Sequence, residues 1–168
     1  EDDVSQKEFQ WISEKLKSKN YQHYEISNFA LQGKQSFHNS NYWNQSSYIG
    51  LGPGAHSFRN SKRRWNISNN RLYIKNIKAG VPYFEQEVLS PYDLVNEKIM
   101  LGLRTLNGLD KNYIFSILPE SIKDEIESKL NTFLKDEILI SRNNIISMNP
   151  EKWLLSEHVS RELFILKE

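Results

Sequence analysis

Tyr48-Ile49-Gly50-Leu51-Gly52-Pro53-Gly54-Ala55-His56-Ser57-Phe58 is the run whose reading decides most about this chain. Its apolar head predicts a short strand. The three glycines and Pro53 predict a turn where backbone comes close to a ligand or to a neighbouring element with no side chain between. Two phosphate-binding readings are excluded. Glycines at 50, 52 and 54 with Pro53 between them are not the dinucleotide fingerprint, and no Gly-Lys-Ser/Thr follows. A backbone-lined binding turn and a tight strand-end turn packed on a helix both remain open.

Upstream, residues 31–47 are rich in Ser, Asn and Gln and predict a loop, yet this loop carries Phe37, His38, Tyr42 and Trp43. His38 beside two large aromatics suits an axial metal ligand or a planar ligand stacked on rings. A surface loop pinned by Tyr42 and Trp43 explains the same residues. Further upstream, Phe9, Ile12 and Leu16 have helical spacing and predict a helix over 5–18, after an acidic turn at Glu1-Asp2-Asp3. Tyr21 to Phe29 then reads as one strand. Glu25 stands at that strand's end, placed to bond a ligand or a neighbouring loop. His23 and His158 lie in ordinary strand and helix contexts and receive no role.

Downstream, Leu72, Tyr73, Ile74 and Ile77 predict a short helix stopped by Gly80 and Pro82. Ser90-Pro91 has the order expected of an N-cap and first turn, and opens a long helix over 91–106. A short helix follows at 111–117, then an amphipathic one at 120–135 carrying Ile122, Ile126, Leu130, Phe133 and Leu134. Residues 138–148 read as a small hairpin about Arg142-Asn143-Asn144, and Pro150 opens a last helix. Helix, helix, hairpin, helix over 91–165 resembles a winged-helix-like bundle.

Composition narrows the classes. In 168 residues, 38% apolar and 26% charged, there is enough for a packed core and a wetted surface. No apolar run reaches the ~20 residues that span a bilayer, no signal peptide opens the chain, and a cytoplasmic location is expected. Zero cysteines exclude disulfides, thiolate zinc sites and a cluster ligated from within this chain. The overall charge of +1 conceals an uneven distribution. Residues 59–78 hold seven Arg and Lys and no acid, and Trp65 and Tyr73 could stack, which admits nucleic acid or a solvated basic loop. The 120–135 helix that would enter a groove is acidic and the hairpin tip offers only Arg142, so nucleic acid is not expected as a partner.

Taken together, Y-E-I-S-N-F-A (24–30), H-N-S-N-Y-W (38–43), the 48–58 run, Y-I-K-N-I-K-A-G (73–80) and E-K-I-M-L-G-L-R-T-L-N-G (97–108) resemble the oxygen-independent coproporphyrinogen III oxidase-like radical-SAM family. H-N-x-x-Y-W is similar to its haem-chaperone, HemW-like branch. The C-terminal M-N-P-E-K-W-L-L-S-E-H-V-S-R-E-L-F fits too, although Trp153 stands where the family commonly has glycine.

The resemblance implies an α/β plus α chain. Residues 1–58 would be the C-terminal part of a partial (β/α) radical-SAM barrel, 59–85 a linker with a short helix, and 86–168 the family's small, mostly helical, winged-helix-like C-terminal domain. It also implies a [4Fe–4S] cluster and S-adenosylmethionine in the complete protein, with the C-x-x-x-C-x-x-C motif before Glu1, so the chain alone is expected to be inactive. Ala55, His56 and Ser57 match a SAM contact; His38, Tyr42 and Trp43 become candidates for contact with haem, which the complete protein would pass to an acceptor haemoprotein. The basic run at 59–78 could meet porphyrin propionates. The competing expectations are an oxidative decarboxylase of coproporphyrinogen and a non-catalytic winged-helix-like binding module.

Overall fold

The computed structural model describes residues 2–166. Of the acidic opening, Glu1 lies outside the described residues and Asp2 already belongs to helix α1 (Asp2–Lys17). The stretch read as one strand is a hairpin of β1 (Tyr21–Glu25) and β2 (Asn28–Leu31), paired from Tyr21↔Leu31 to Glu25↔Asn28. The expected loop at 31–47 contains helix α2 (Phe37–Trp43). Ser36 caps it, its hydroxyl oxygen accepting the Asn39 N–H at 3.2 Å. The Ser- and Asn-rich composition that reads as loop thus includes the cap that starts a helix.

The 48–58 run places its turn before its strand rather than after. Tyr48 forms only an isolated bridge with Phe58, and the strand proper is β3 (His56–Arg59). Residues 59–85, expected to be a linker with one short helix, hold that helix, α3 (Asn70–Ala79), but also β4 (Lys62–Asn66) and the start of β5 (Phe84–Val88). These strands form an antiparallel sheet in the order β3-β4-β5. The β3–β4 turn has Asn60 and Ser61 both at positive φ, 50° and 61°, the geometry that suits a two-residue hairpin. The basic side chains hid these strands, because Lys62-Arg63-Arg64 does not alternate apolar with polar.

The C-terminal half follows the sequence reading closely. Helix α4 (Pro91–Leu103) begins with a capping box in which Ser90 and Asp93 each accept the other's backbone N–H. Next come β6 (Leu109–Asp110), α5 (Lys111–Ile117), α6 (Glu120–Lys135), β7 (Leu139–Arg142), β8 (Ile145–Met148), a 3₁₀ turn at 150–155 and α7 (Ser156–Leu163). Val95, Ile99 and Leu103, at i, i+4 and i+8 on α4, meet Ile126 and Leu130 of α6 and Val159 and Leu163 of α7 in one core. Each such side chain contributes about 1.5–3 kcal/mol by burial.

The two halves meet around Trp153, fully buried at 0% exposure. The His23 ring stacks on Phe29 with centroids 3.9 Å apart, and meets Trp153 edge-on at 4.4 Å and Phe9 at 5.3 Å. Its Nε2–H donates to the Ile26 carbonyl at 3.2 Å, which leaves Nδ1 as the acceptor facing the Ser13 hydroxyl at 3.5 Å. Just beyond, the hairpin turn docks on the end of α4: Ile26 N–H donates to Arg104 C=O at 2.9 Å and Leu106 N–H to Tyr24 C=O at 3.0 Å. Glu25, 1% exposed, bridges Thr105 and accepts from the Asn28 amide. Glu25 is therefore bonded to neighbouring loops, one of the two alternatives left open above.

Two expected outcomes follow from this junction. Trp153→Ala should lower stability by about 3–5 kcal/mol in urea denaturation, the range for emptying a buried aromatic site; a loss under 1 kcal/mol would show that the junction carries no weight. Burial pushes the His23 imidazole below its ordinary 6.5, against smaller upward pulls from the Ile26 carbonyl and Glu25. The unfolded chain therefore takes up this proton first, and stability should fall as pH drops through about 6.5. Denaturation midpoints between pH 8 and 5, compared with those of His23→Phe, isolate that slope; equal slopes would contradict the assignment.

Candidate functional site

Helix α2 divides the candidate trio between two faces. His38 and Tyr42, four residues apart, lie on one face, and their rings meet edge-on at 5.0 Å. Tyr42 meets Tyr48 at 4.7 Å, and Tyr48 meets Phe58 at 6.4 Å. His38 is exposed and Phe58 buried, so a ladder of rings runs from an accessible imidazole into the sheet. Burial pushes the Tyr48 phenol up, with Tyr42 adding to the rise and Arg63 opposing it. Phe37, next to His38 in sequence, and Ile49 and Leu51, following Tyr48, are more than 80% exposed apolar side chains. An imidazole with both apolar and aromatic neighbours can ligate a metal ion or sit over a planar ring system. Trp43 falls about 140° round the helix from His38 and turns towards α4, with the Arg104 guanidinium 5.8 Å from its ring. The structure therefore joins His38 to Tyr42 and separates both from Trp43.

In the 48–58 run most polar groups serve the fold. Gly50 lies so close to β3 that a Cβ there would fall 2.1 Å from the His56 carbonyl oxygen. Its N–H donates to the Ser57 hydroxyl oxygen at 3.0 Å. Ala55 donates to Gly52 C=O at 3.3 Å and accepts the Asn66 N–H at 3.0 Å, while the buried Asn66 amide donates to Gly52 C=O at 2.9 Å. Of Ala55, His56 and Ser57, only His56 presents an exposed side chain, its ring 6.5 Å from that of Trp65.

The basic run is partly engaged. Arg63 of β4 pairs with Glu87 at 3.3 Å and with Glu97 of α4, and Glu97 also accepts the Gln45 amide at 3.1 Å. Arg64 lies 3.8 Å over the Phe84 ring and donates to the Tyr83 hydroxyl at 2.9 Å. Arg59, Lys62, Arg71, Lys75 and Lys78 remain exposed. His23, given no role from sequence, proves to be a packing residue of the junction, and no spacing in the sequence signals it.

No family model matches the chain. Curated relatives do. The chain is 27% identical over 152 residues to "Heme chaperone HemW" of Bacillus subtilis, an alignment spanning 90% of this chain and 40% of that protein. It is 28% identical over 160 residues to the Lactococcus lactis protein of the same name, spanning 95% and 42%. With the zebrafish "Radical S-adenosyl methionine domain-containing protein 1, mitochondrial" it is 27% identical over 124 residues, 68% of this chain and 28% of that protein. Among solved structures it is similar to "Coproporphyrinogen III oxidase (HemN) from Escherichia coli is a Radical SAM enzyme", with a TM-score of 0.72 and 15% identity over 92% of this chain and 39% of that one. The chain is homologous to proteins named heme chaperone HemW and radical-SAM domain-containing protein 1, and shares the fold of part of HemN. It spans about two fifths of the length of the two HemW relatives, and this partial coverage fits a C-terminal portion.

The residues present do not fit an iron–sulfur cluster. Such clusters are held by Cys thiolates, this chain has none, and among the described residues no three His, Asp or Glu come together as a metal site. No helix among them is long and apolar enough to cross a membrane.

Gly50→Ala should destabilise the chain by at least about 1–3 kcal/mol, because the β3 backbone rather than a flexible side chain must yield. Thermal melts of the two proteins check it; an unchanged midpoint would show that the loop relaxes freely.

Proposed function

We propose that the chain supplies the haem-contact surface of a cytoplasmic haem chaperone that binds haem and passes it to acceptor haemoproteins. The observation that carries this reading is the exposed His38 imidazole at the outer end of the His38–Tyr42–Tyr48–Phe58 ladder, next in sequence to the exposed Phe37. A planar iron porphyrin needs an axial ligand and ring contacts, and this surface offers both. The names of the HemW relatives support the same reading.

In the complete protein we read residues 1–58 as the last part of a partial radical-SAM barrel and 86–168 as its C-terminal domain, with the β3-β4-β5 sheet between them. The order α4-β6-α5-α6-β7-β8 supports a winged-helix-like description of the second part. The [4Fe–4S] cluster and SAM belong to that complete protein, with the Ala55–Ser57 segment on the SAM side through the exposed His56. A coproporphyrinogen oxidase is the second reading, favoured by the likeness of fold to HemN. A nucleic-acid-binding module is disfavoured, since α6 carries acids and its Lys123 and Lys129 are already paired with Glu120 and Glu125.

Titration of the protein with haem, followed at the Soret band, tests the proposal. His38→Ala should weaken binding by about tenfold or more and change the Soret position. Unaltered binding would return His38 to a surface role. Conversion of coproporphyrinogen to protoporphyrinogen by the complete protein would put the oxidase reading first.

A further inference from the structure

On the other face of α2, Trp43 helps to line a cavity of about 370 Å³ shared with α4, the α4–β6 loop and α5. Lys98, Tyr113, Asn44 and Asn107 are also in its lining. Lys98 is half-buried, with its Nζ 5.9 Å from the Tyr113 ring centroid. Among the described residues it has no ion-pair partner. Of the nearby acids, Glu97 holds Arg63 and Gln45, while Asp110, also in the lining, caps α5 with one carboxylate oxygen, Oδ1, which accepts the Asn112 and Tyr113 N–H groups at 2.9 and 3.4 Å. Two buried donors on α2 and at the end of α4 also lack acceptors, Arg104 lying outside the cavity lining. The Trp43 indole N–H and the Arg104 Nε–H are buried without an acceptor, and the Arg104 guanidinium lies 5.8 Å from the Trp43 ring. A cavity that sets a cation with no ion-pair partner beside an aromatic ring, with Asn44 and Asn107 also in its lining, suits an anionic acceptor. Burial pushes the Lys98 ammonium below its ordinary value, as expected of a cation lacking its counter-charge.

We infer that this cavity binds a carboxylate carried on a planar ligand, with Lys98 as counter-charge and the Trp43 and Tyr113 rings as walls. The volume is at the low end of the roughly 300–1,000 Å³ of small-molecule sites. It admits a small aromatic acid, or one acid arm of a larger ligand, but not a whole porphyrin. Two sources share this chemistry: a free aromatic acid, and a propionate of a porphyrin held on the His38 face of the same helix. The inference stands independently of the haem reading.

Benzoate and its neutral isostere benzamide are the probes, read by the ¹⁵N–¹H resonance of the Trp43 indole. Benzoate should shift that resonance saturably and benzamide should not. Lys98→Met should weaken benzoate binding by about tenfold or more, the worth of one charge-assisted contact, while Lys98→Arg retains it; the other three indole resonances report that the fold is intact. No saturable shift with benzoate, an equal shift with benzamide, or undiminished binding in Lys98→Met overturns the inference, and the benzoate–benzamide comparison decides even if a variant misfolds. Competition by haem but not by its dimethyl ester supports the site and assigns the carboxylate to a porphyrin arm. Saturable benzoate binding with competition by neither supports the site and assigns a separate ligand. If haem fails to bind while benzoate binds, the haem reading falls and this site stands.

Discussion

The rest of the structure depends on the docking of the β1–β2 turn onto the end of α4. Three residues of the turn, Tyr24, Glu25 and Ile26, meet Leu106, Thr105 and Arg104 through backbone hydrogen bonds and a strand bridge. Backbone groups buried at such a junction must be paired, because an unpaired one costs as much as a lost hydrogen bond. Around that polar seam lies the aromatic one, His23 between Phe29 and Trp153. Trp153 is the largest fully buried side chain among the described residues.

Once that seam is in place, α2 is carried past the flank of α4 and its two faces acquire different surroundings. His38 and Tyr42 face outward on the ring ladder, and Trp43 faces Arg104 and the Lys98 cavity. A helix of seven residues cannot hold its position by propensity alone. Ser36 caps it, Tyr42 packs on Tyr48, and the following Gln45 bonds Glu97 on α4. Glu97 is the electrostatic counterpart of the seam, since it also takes Arg63 from β4 and so ties the three-stranded sheet to the same helix. Its side chain is only 16% exposed, where a charge needs such partners.

The glycine-rich run illustrates how a motif serves two ends. Its glycines allow a backbone-to-backbone approach between Gly50 and His56 that no side chain could tolerate. The loop's hydrogen bonds then turn inward to Ser57 and Asn66, and leave the His56 ring outside. The tight structural turn and the exposed functional side chain are consequences of one geometry.

Much of the chain was legible in the sequence because its signals are local. Ser90-Pro91 and the Val95, Ile99, Leu103 spacing mark α4; Gly80 ends α3 in the left-handed conformation at φ 66°; Asn143 turns the β7–β8 hairpin at φ 58°. The absence of cysteine excluded a cluster held within this chain before any geometry was known. The order of the quoted motifs likewise pointed to the family that the comparisons support. What the sequence did not disclose is what distant residues decide. Lys62-Arg63-Arg64 forms a strand because Phe58, Glu85 and Glu87 lie beside it, not because of its own pattern. His23 is a packing residue because Trp153, 130 positions later, closes over it. Lys98 lies in a cavity with Trp43 and Tyr113, without an ion-pair partner among the described residues, only because α2, α4 and α5 pack together there. Caps and periodicities act within a turn or two of chain, so sequence alone marked the longer helices but not the short α2, which is held by Tyr48 and Glu97; strand pairing, burial and cavities join residues far apart along it, so only the tertiary structure decided those.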